Sequence, residues 1–378
     1  MHILIAPDTF KASLAAPEAA RAIQTGMLKG FPEAKYTLAP ISDGGEGLLL
    51  ALADALPNMT LHRIQVTGPQ GKPVMARYGL MPEQKMAIIE WAEAAGLHSV
   101  VGKKQGMTAT STGVGELLLQ AESQGATQFM IGLGGSATCD AAIGALSTLG
   151  FEFLNARGQR VALNGNGLSE IARIVADSPR AKAWQRHKIT ILHDVDNPFT
   201  GNQGAISYAK QKGTTATERR QLLQGFSHYA ELLEKYTGKQ IANIPGTGAA
   251  GGAGAGLYAL LNAALLPGAD WVLSQLKMAE KIQQADCIVV GEGSLDPQSL
   301  QGKAPIKIAA LAKRHQKPVI ALVGQYTLNA AQLQNAGITA VFSLTNGPMS
   351  KNAAILQTKI RLEVLALQIG KLLKICTL

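Results

Sequence analysis

The feature that most restricts the fold is a regular alternation of short apolar runs with helix-like segments at both ends of the chain. The first residues read as a strand (2–7), a helix (15–29) and a second strand (36–42). The last third repeats this order, with strands at 287–293, 318–324 and 340–346 and helices at 303–315 and 329–336. Strands and helices that alternate in this way form a parallel sheet, so we predict a flavodoxin- or Rossmann-like α/β domain.

The middle of the chain follows a different pattern. Residues 61–93 read as three successive strands joined by short Gly/Pro turns, which predicts an antiparallel meander. Helices and strands alternate again after it, at 112–124 (helix), 128–135 (strand), 139–150 (helix) and 188–195 (strand). These residues are therefore expected to form a second, mixed α/β unit.

The two patterns predict two domains. We expect a discontinuous flavodoxin-like α/β domain of residues 1–62 plus 269–378, with a mixed α/β domain of residues 63–268 inserted into it. The active site is expected in the cleft between these domains.

Composition excludes several classes of protein. With 47% hydrophobic and 16% charged residues, the chain is too apolar to be generally disordered. The cysteines, Cys139, Cys287 and Cys376, lie far apart without CxxC spacing, so neither a disulfide framework nor a zinc site is indicated. The first residues lack a signal-peptide pattern, and the apolar run 257–266 is shorter than the ~20 residues that span a bilayer. We expect a soluble, cytoplasmic protein without a membrane partner.

The formal net charge of +9 raises the question of nucleic-acid binding. Lys and Arg are scattered along the chain, and aromatic residues for base stacking make up only 5% of it, so nucleic acid is not an expected partner. Positive charge also attracts small anions such as nucleotides and carboxylic acids.

Residues 246–251 satisfy the GxGxxG pattern of dinucleotide-binding loops, but they follow Pro245 and not a buried strand. NAD binding is therefore not indicated. Two interpretations stay open for this segment. It is either a Gly/Ala helix start that permits close backbone packing, or a surface of backbone amides that faces phosphate or substrate.

The segment GLGGSATCD (132–140) has the pattern of a phosphate-binding turn. A predicted buried strand leads into Gly134 and Gly135, then into Ser136 and Thr138, then into a helix. Glycine lets backbone N–H groups face an anion, hydroxyl groups add donors, and a helix N-terminus adds partial positive charge. The alternative is an ordinary capped turn between a strand and a helix.

Four acidic turns lie at or just beyond the ends of predicted strands. They are PDTFK (7–11), SDGGEG (42–47), DVDNP (194–198) and GEGSLD (291–296). Since the carboxyl ends of parallel strands converge on the ligand crevice, carboxylates from these turns are expected to meet there. A single Asp in such a turn is usually an Asx turn or a helix cap, but four such turns together favour chemistry.

These turns supply the groups that phosphoryl transfer needs. The reaction requires carboxylates that hold Mg²⁺, cations on the migrating phosphate and a base at the attacking hydroxyl. Lys11 and Lys303 are the expected cations. The chain has no Walker A or protein-kinase signature, and His193 reads as a packing residue at a strand end and not as a base.

The chain resembles the bacterial class I glycerate kinases over nearly its whole length, through nine motifs that occur in order. They are IAPDTFKASL (5–14), PISDGGEG (40–47), VTGPQG (66–71), IIEWAEAAGL (88–97), TSTGVGELL (110–118), GLGGSATCD (132–140), HDVDNPFTG (193–201), GTGAAGGAGAG (246–256) and VGEGSLDPQSLQGKAP (290–305). The resemblance implies a kinase with a flavodoxin-like domain and an inserted domain. It also implies ATP-dependent phosphorylation of D-glycerate, usually to 2-phosphoglycerate.

The motifs give a set of expected site residues. Asp43 and Asp194 are expected at Mg²⁺ or at the attacking hydroxyl, Lys11 at phosphate, and Asp296 is a second candidate base. The residues expected to bind nucleotide or substrate are Asp8, Gly134, Gly135, Ser136, Thr138, Gly291, Glu292 and Lys303. ATP and Mg²⁺ are the expected cofactors, D-glycerate and ATP are the small-molecule partners, and a homodimer is left open. Which Asp is the base and which binds metal also stays open.

Two departures from the family pattern carry structural expectations. Ser294 stands where the family commonly has Arg, so Lys303, Lys11 or another cation is expected to serve instead. Ala141 and Ala142 stand where the family has two glycines, which predicts that the helix after Asp140 continues without a special backbone angle.

Two other functions are kept as alternatives. A kinase of another small hydroxy acid or of a triose shares every phosphate feature, and a substrate panel separates it from a glycerate kinase. A non-catalytic regulator that binds a nucleotide or metabolite has no requirement for ATP turnover, and a titration with Mg-ATP followed by glycerate identifies it.

Overall fold

The computed structural model describes residues 1–345 and 347–376. Asn346, the last residue of the strand predicted at 340–346, lies outside the described residues. Contacts between Cα atoms divide the chain into two compact units. Unit 1 consists of Met1–Asp43, Leu50–Leu56 and Ala269–Leu378, and unit 2 of Gly44–Leu49 and Pro57–Gly268.

The described residues form 13 β-strands and 14 α-helices. The strands are β1 (His2–Pro7), β2 (Lys35–Leu38), β3 (Thr60–Thr67), β4 (Pro73–Met81), β5 (Met86–Glu90), β6 (Gln128–Gly132), β7 (Glu152–Leu154), β8 (Arg173–Val175), β9 (Lys188–His193), β10 (Ala264–Pro267), β11 (Cys287–Leu295), β12 (Val319–Tyr326) and β13 (Ala340–Ser343). The helices are α1 (Ala16–Gly30), α2 (Leu48–Ala53), α3 (Trp91–Ala95), α4 (Thr112–Ser123), α5 (Ile143–Thr148), α6 (Pro179–Trp184), α7 (Ala216–Thr237), α8 (Ala249–Leu260), α9 (Gly268–Gln275), α10 (Met278–Gln284), α11 (Ala304–Arg314), α12 (Ala330–Ala336), α13 (Lys351–Leu356) and α14 (Thr358–Ile375).

Unit 1 is built on a five-stranded parallel sheet with the order β2-β1-β11-β12-β13. Counted within the unit, this is the flavodoxin-like order 2-1-3-4-5, which confirms the predicted fold class. The strand order reverses between β1 and β11, where Ile3 pairs with Cys287 and Pro7 pairs with Gly291. The carboxyl ends of these two strands are therefore the expected ligand position of the sheet.

Helices cover both faces of this sheet. Ile3, Ile5 and Val289 pack in one cluster with residues of α1 and α14, while α10 contacts β1 and α11 contacts β11. Helix α1 approaches α14 closely because it has glycine at the crossing. A Cβ atom on Gly26 would lie 2.2 Å from the carbonyl oxygen of Glu363. A strand that is buried on both faces needs a continuous run of apolar residues, and such runs are the pattern from which these strands were predicted.

Unit 2 contains a six-stranded mixed sheet with the order β3-β4-β5-β6-β9-β10. Strands β3, β4 and β5 form the predicted antiparallel meander, and β5, β6, β9 and β10 run parallel to one another. The β7-β8 hairpin and helix α7 were not predicted. Helix α7 begins with a capping box, in which Thr215 and Glu218 satisfy each other's backbone N–H groups.

Two of the acidic turns differ from the prediction. Strand β2 ends at Leu38, so Asp43 lies in a loop and does not directly follow the strand. Strand β11 continues to Leu295, so Gly291 and Glu292 are strand residues and not part of a turn. The pairing of Ser294 with Gln325 and of Leu295 with Tyr326 on β12 explains why the strand extends this far.

The backbone after Asp140 also differs from the prediction. Helix α5 begins only at Ile143, because Ala141 and Ala142 have φ angles of 48° and 66°. The expectation that these alanines continue a helix without a special backbone angle is therefore wrong. The left-handed turn lets the Ala141 N–H donate to the Gly251 carbonyl oxygen at 3.2 Å. Tertiary packing thus imposes a conformation that L-residues disfavour by roughly 1–2 kcal/mol each.

The glycine-rich segment forms a second left-handed turn against the first. Ala250, Gly251 and Gly252 have φ angles of 52°, 68° and 86° inside α8. A Cβ atom on Gly251 would lie 2.1 Å from the Thr138 carbonyl oxygen, and one on Gly252 would lie 2.3 Å from the Phe199 ring. These contacts support the interpretation that the glycines permit close packing.

Within the described residues, no helix combines the length and the apolar character required to cross a bilayer.

The positive φ of Ala142 leads to a prediction about stability. Ala142→Gly removes roughly 1–2 kcal/mol of backbone strain. This gain offsets two losses, the burial of the methyl group and the larger conformational entropy that glycine gives up on folding. Ala145→Gly makes the same chemical change inside α5, where no such strain exists. We therefore expect Ala145→Gly to destabilise the protein by about 1–2 kcal/mol more than Ala142→Gly in urea unfolding. Equal losses at the two positions would contradict the strained conformation of Ala142.

Candidate functional site

The carboxyl ends of β1 and β11 carry the acidic residues of unit 1. Asp8 directly follows β1, and its backbone N–H donates to the Gly291 carbonyl oxygen of β11 at 2.8 Å. Glu292 is the next residue of β11 and is 6% exposed. In open α/β sheets ligands bind outside the carboxyl ends of the strands where the strand order reverses, and these residues occupy that position.

Four carboxyl groups of unit 1, which we call the carboxylate cluster, influence one another: Asp8, Asp43, Glu292 and Asp296. Burial raises the pKa of Asp8 well above its usual value, and the charges of Asp43 and Glu292 raise it further. The Thr9 N–H, which donates to Asp8 Oδ1 at 2.6 Å, and Lys11 both act in the opposite direction. Like charges held together away from water are typical of catalytic and cation-binding sites.

Glu292 titrates near neutrality. Burial raises its pKa to about 7, Lys303 lowers it, and Asp296 and Asp43 raise it. Its Oε2 lies 3.6 Å from Lys303 Nζ and accepts a hydrogen bond from Ser299 Oγ at 3.5 Å. In the part of the chain that the structure describes, its buried Oε1 has no hydrogen-bond partner. A buried and half-satisfied carboxylate of this kind is suited to accept a proton or to bind a cation.

Asp296 makes the hydrogen bonds of an Asx turn. Its Oδ1 accepts from the backbone N–H groups of Gln298 and Ser299 at 2.9 and 3.2 Å, and its own N–H donates to Ser299 Oγ at 3.2 Å. These bonds tie the end of β11 to the segment before α11. They give Asp296 a structural role, and its role as a second base stays a prediction.

Ser294 is paired with neutral groups and with Asp296. Its hydroxyl donates to Asp296 Oδ2 at 3.5 Å and accepts from Gln325 Nε2 at 3.3 Å. The cations that act on the carboxylate cluster are Lys303, on Glu292, and Lys11, on Asp8. These are the two lysines expected to replace the arginine that the family commonly has at position 294.

The carboxylate cluster offers part of the ligand set that Mg²⁺ requires. Among residues 1–345 and 347–376, no group of three or more His, Cys, Asp or Glu side chains is placed to hold a metal by itself. Mg²⁺ is usually bound through one or two carboxylates together with the phosphate oxygens of a nucleotide. The cluster offers hard oxygen ligands. Burial is the main cause of the raised pKa of Asp8, and a cation would offset the further rise that the charges of Asp43 and Glu292 cause. Its residues therefore fit a magnesium ion that binds together with ATP.

The glycine-rich turn of unit 2 follows β6, which ends at Gly132. A Cβ atom on Gly132 would lie 2.2 Å from the Gly44 carbonyl oxygen, and one on Gly134 would lie 2.5 Å from Gly45 Cα. Gly135 has a φ angle of 75°, which favours glycine. The glycines of two separate motifs, 132–140 and 42–47, thus pack against each other.

Lys212 lies beside this turn and was not predicted. Its Nζ donates to Ser136 Oγ and to the Thr138 carbonyl oxygen, both at 2.7 Å, and the residue is 4% exposed. Burial lowers its pKa, whereas Cys139, Asp140 and other nearby acidic groups act in the opposite direction. Lys212 lies in a polar segment, AKQKG, in which no pattern distinguishes a buried lysine from a surface lysine.

Asp140 is a buried carboxylate that the motif contains but that was not assigned a role. It accepts hydrogen bonds from Ser111 N–H and Oγ at 2.8 and 2.6 Å and from Ala142 N–H at 3.3 Å. Burial raises its pKa, and these hydrogen bonds lower it. Because Ser111 precedes α4 and Ala142 precedes α5, Asp140 connects the starts of two helices.

Asp194 follows His193, the last residue of β9. The His193 ring is buried against Gly246, where a Cβ atom would lie 2.8 Å from the ring, and its Nδ1 lies 3.1 Å from the Val195 carbonyl oxygen. These contacts agree with a packing role for His193. Asp194 raises the pKa of Lys212.

The structure brings together two groups of predicted residues. Unit 1 assembles Asp8, Lys11, Asp43, Gly291, Glu292, Asp296 and Lys303. Unit 2 assembles Ser136 and Thr138, with Gly134 and Gly135 in the same turn, around the unpredicted Lys212. Asp43 and Asp194, the predicted metal ligands, belong to different units, and their joint role stays a prediction.

The raised pKa of Glu292 predicts how stability depends on pH. A carboxyl group whose folded pKa of about 7 exceeds the reference value of 4.5 stabilises the fold while it is protonated, and this contribution is lost as the pH rises through that range. Glu292→Gln stays neutral at every pH. Its melting temperature relative to the wild type should therefore increase between about pH 5 and 8, by the equivalent of roughly 3 kcal/mol at most.

A variant at a carboxyl group whose pKa is shifted in the opposite direction serves as the control for this measurement. Lys374, 2.7 Å away, lowers the pKa of the exposed Glu33, so Glu33 stabilises the fold at high pH and loses that contribution as the pH falls. Glu33→Gln should therefore lose a small amount of stability relative to the wild type only as the pH rises toward about 4.5, and its difference from the wild type should stay constant between about pH 5 and 8. A melting-temperature difference for Glu292→Gln that does not change with pH would refute the raised pKa.

Three comparisons place this chain among known proteins. A model of the Glycerate kinase family matches residues 3–374. A glycerate kinase of Halalkalibacterium halodurans is 41% identical over 370 residues, which are 97% of each chain. A glycerate 2-kinase of Escherichia coli is 40% identical over 348 residues, 91% of this chain and 90% of the relative. A crystal structure from Salmonella typhimurium LT2, described as a candidate glycerate kinase 2, has a TM-score of 0.82 and 36% identity and covers 100% of this chain and 99% of its own.

Proposed function

Because the chain belongs to the glycerate kinase family, we propose that it transfers the γ-phosphoryl group of ATP to the 2-hydroxyl group of D-glycerate. The family is one of ATP-dependent phosphotransferases with an alcohol group as acceptor. The observation that carries the proposal is the carboxylate cluster at the reversal point of the strand order, where Glu292 is buried beside Lys303. The glycerate 2-kinase of Escherichia coli supports the 2-hydroxyl as the acceptor.

The carboxylate cluster supplies the base in this proposal. A hydroxyl that attacks phosphorus must release its proton, and a base whose pKa lies near the working pH accepts it best. Glu292, with a pKa of about 7, is our first choice, and Asp43, Asp194 and Asp296, the bases considered from the sequence, are the alternatives. The substrate oxygen forms a bond to the γ-phosphorus, and the bond from that phosphorus to the bridging oxygen breaks as ADP leaves.

Mg²⁺ is the proposed metal cofactor. Asp43 would hold it together with phosphate oxygens of ATP, and Asp194 is the second candidate ligand. When bound, the ion neutralises charge on the phosphates. Lys11 and Lys303 add positive charge, and the carboxyl groups of Asp43 and Glu292, which raise the pKa of Asp8 beyond the effect of its burial, supply negative charge that a cation would offset.

The glycine-rich turn of unit 2 is our candidate for phosphate binding. Gly134, Gly135 and Ser136 lie in a turn that directly follows a buried strand; Gly134 packs against Gly45, while Gly135 is half-buried and has the positive φ of 75° that anion-binding turns use. Lys212 donates to Ser136 Oγ and thereby fixes the orientation of that hydroxyl. Thr138 has a buried Oγ1 without a hydrogen-bond partner among the described residues.

The cell compartment and the assembly are proposals as well. All three cysteines are free thiols, which suits the reducing cytoplasm. A homodimer is one proposed assembly, and light scattering of the purified protein measures it directly.

The reaction is tested by resolving its products. With Mg-ATP and D-glycerate, phosphorus NMR should show loss of the ATP γ-signal and growth of the 2-phosphoglycerate signal. Formation of 3-phosphoglycerate alone would contradict the choice of hydroxyl. Turnover of another hydroxy acid or a triose, with none of D-glycerate, would contradict the substrate and keep the reaction class.

Asp43→Asn tests the carboxylate cluster. The change keeps the size of the side chain but removes the charge with which Asp43 would hold Mg²⁺ or, in the alternative, accept the hydroxyl proton, so we expect kcat to fall by at least about a hundredfold. Partial recovery at high Mg²⁺ would identify Asp43 as a metal ligand, and no recovery would identify it as the base. Asp54→Asn, at an exposed residue of unit 1, is the matched control and should keep kcat. A folded Asp43→Asn variant with near wild-type kcat would exclude Asp43 from the site.

A further inference from the structure

Unit 2 contains a cavity of about 190 Å³ beside the glycine-rich turn. Its wall includes Ala137 of that turn and the buried Lys212, together with Gln70, Lys104, Thr108 and Ala109 from two other segments of the unit. A single buried water requires only about 10–15 Å³, so this cavity is much larger than a structural water site. It has room for a small organic molecule.

The walls of the cavity are held by backbone hydrogen bonds. Gly106 N–H donates to the Lys212 carbonyl oxygen at 2.8 Å, and Thr110 N–H donates to the Pro69 carbonyl oxygen at 3.0 Å. The Gln70 amide exchanges two hydrogen bonds with the backbone of Val101, at 3.1 and 3.2 Å. The cavity is therefore a defined feature of unit 2 and not a gap between unconnected loops.

Lys212 belongs to this wall, and the negative charges of Asp140 and Asp194 act on its ammonium group without a hydrogen bond to it. In the described part of the chain, the hydrogen bonds of its ammonium group go to two neutral oxygens, Ser136 Oγ and the Thr138 carbonyl. A buried ammonium group needs an anion or complete hydrogen bonding, because its transfer from water costs several kcal/mol. An ammonium group has three donors, so one remains for a ligand.

Hydroxyl groups next to Lys212 also have unmet hydrogen-bonding capacity. The Oγ1 atoms of Thr138 and Thr214 are buried and have no partner among the described residues. Lys104, on the same cavity wall, adds a second positive charge. A cavity with two lysines and polar Gln and Thr side chains, but no acidic residue in its wall, is suited to an anion.

We propose that this cavity binds the carboxylate group of a three-carbon hydroxy acid and that the Lys212 ammonium is its charge partner. This inference rests on the proposed function, because that function identifies the acid as the phosphoryl acceptor. Ala137 lines the cavity and Ser136 contacts Lys212, so an acid held there lies next to the turn proposed to bind phosphate. Lys212 thus selects acids over neutral polyols.

The test compares an acid with its neutral amide. D-Glycerate and D-glyceramide have nearly the same shape and differ in charge. Isothermal titration in the presence of Mg²⁺ and a non-hydrolysable ATP analogue should show that the wild type prefers the acid by roughly 10- to 100-fold, the value of a charge-assisted hydrogen bond. Lys212→Met should bind the two ligands within about twofold of each other. A purely structural role for Lys212 would change both affinities and leave their ratio intact.

Two further variants separate charge from position. Ala109→Leu fills the cavity without changing a charge, and it should weaken acid and amide to a similar extent; Ala109 is 5% exposed. Lys239→Met removes a half-buried lysine of unit 2 that donates to Asn262 at 2.7 Å, and it should keep the wild-type preference for the acid. Melting temperatures establish that each variant is folded.

The outcomes distinguish this inference from the proposed function. An acid preference that persists in Lys212→Met, or wild-type affinities in Ala109→Leu, would overturn the inference while D-glycerate turnover remains. If the wild type does not phosphorylate D-glycerate but binds D-lactate or L-glycerate through Lys212, the inferred acid site is confirmed and the proposed substrate is wrong. If no three-carbon acid binds, both are wrong.

Discussion

The parallel pairing of β1 with β11 is the interaction on which unit 1 depends. It joins the first strand of the chain to one that begins at Cys287, and so closes a loop that contains unit 2. Ile3, Leu4 and Ile5 are completely buried, and each such side chain contributes roughly 1.5–3 kcal/mol of burial free energy. Because loop-closure entropy grows only with the logarithm of loop length, this burial offsets much of the cost of closing even so long a loop. The same pairing sets Asp8 beside Gly291 and Glu292.

This arrangement lowers the stability of unit 1 at neutral pH. Glu292 and Asp8 have raised pKa values because burial and like charges disfavour their ionised forms. A fold selected for stability alone would place an apolar residue or a fully paired polar group at these positions. Groups that oppose folding are concentrated at functional sites, where a substrate or cation compensates for them. The raised pKa of Glu292 is caused mainly by its burial, and it supports the proposal that this residue takes part in phosphoryl transfer.

The sequence predicted what depends on local pattern and missed what depends on distant contacts. The strands of unit 1 were visible because a strand buried on both faces must be a continuous apolar run, as in residues 2–7 and 318–324. The conformation of Ala141 could not be predicted, since it is imposed by packing against Gly251. Lys212 was missed because its burial arises from the tertiary contacts of a segment whose composition is that of a surface loop.

Each unit contains a buried charged group to which the protein supplies only part of its hydrogen-bond partners. In unit 1 this group is the Glu292 carboxylate, whose Oε1 has no partner among the described residues, and in unit 2 it is the Lys212 ammonium, which donates to two neutral oxygens. Asp140 is a useful contrast, because its buried carboxylate accepts three hydrogen bonds from the protein and needs no ligand. Because the protein already supplies part of the hydrogen-bond partners, such a site is ordered before its ligand binds. The ligand then completes existing hydrogen bonding and does not have to immobilise flexible side chains, which raises affinity for a small substrate that offers few contacts of its own.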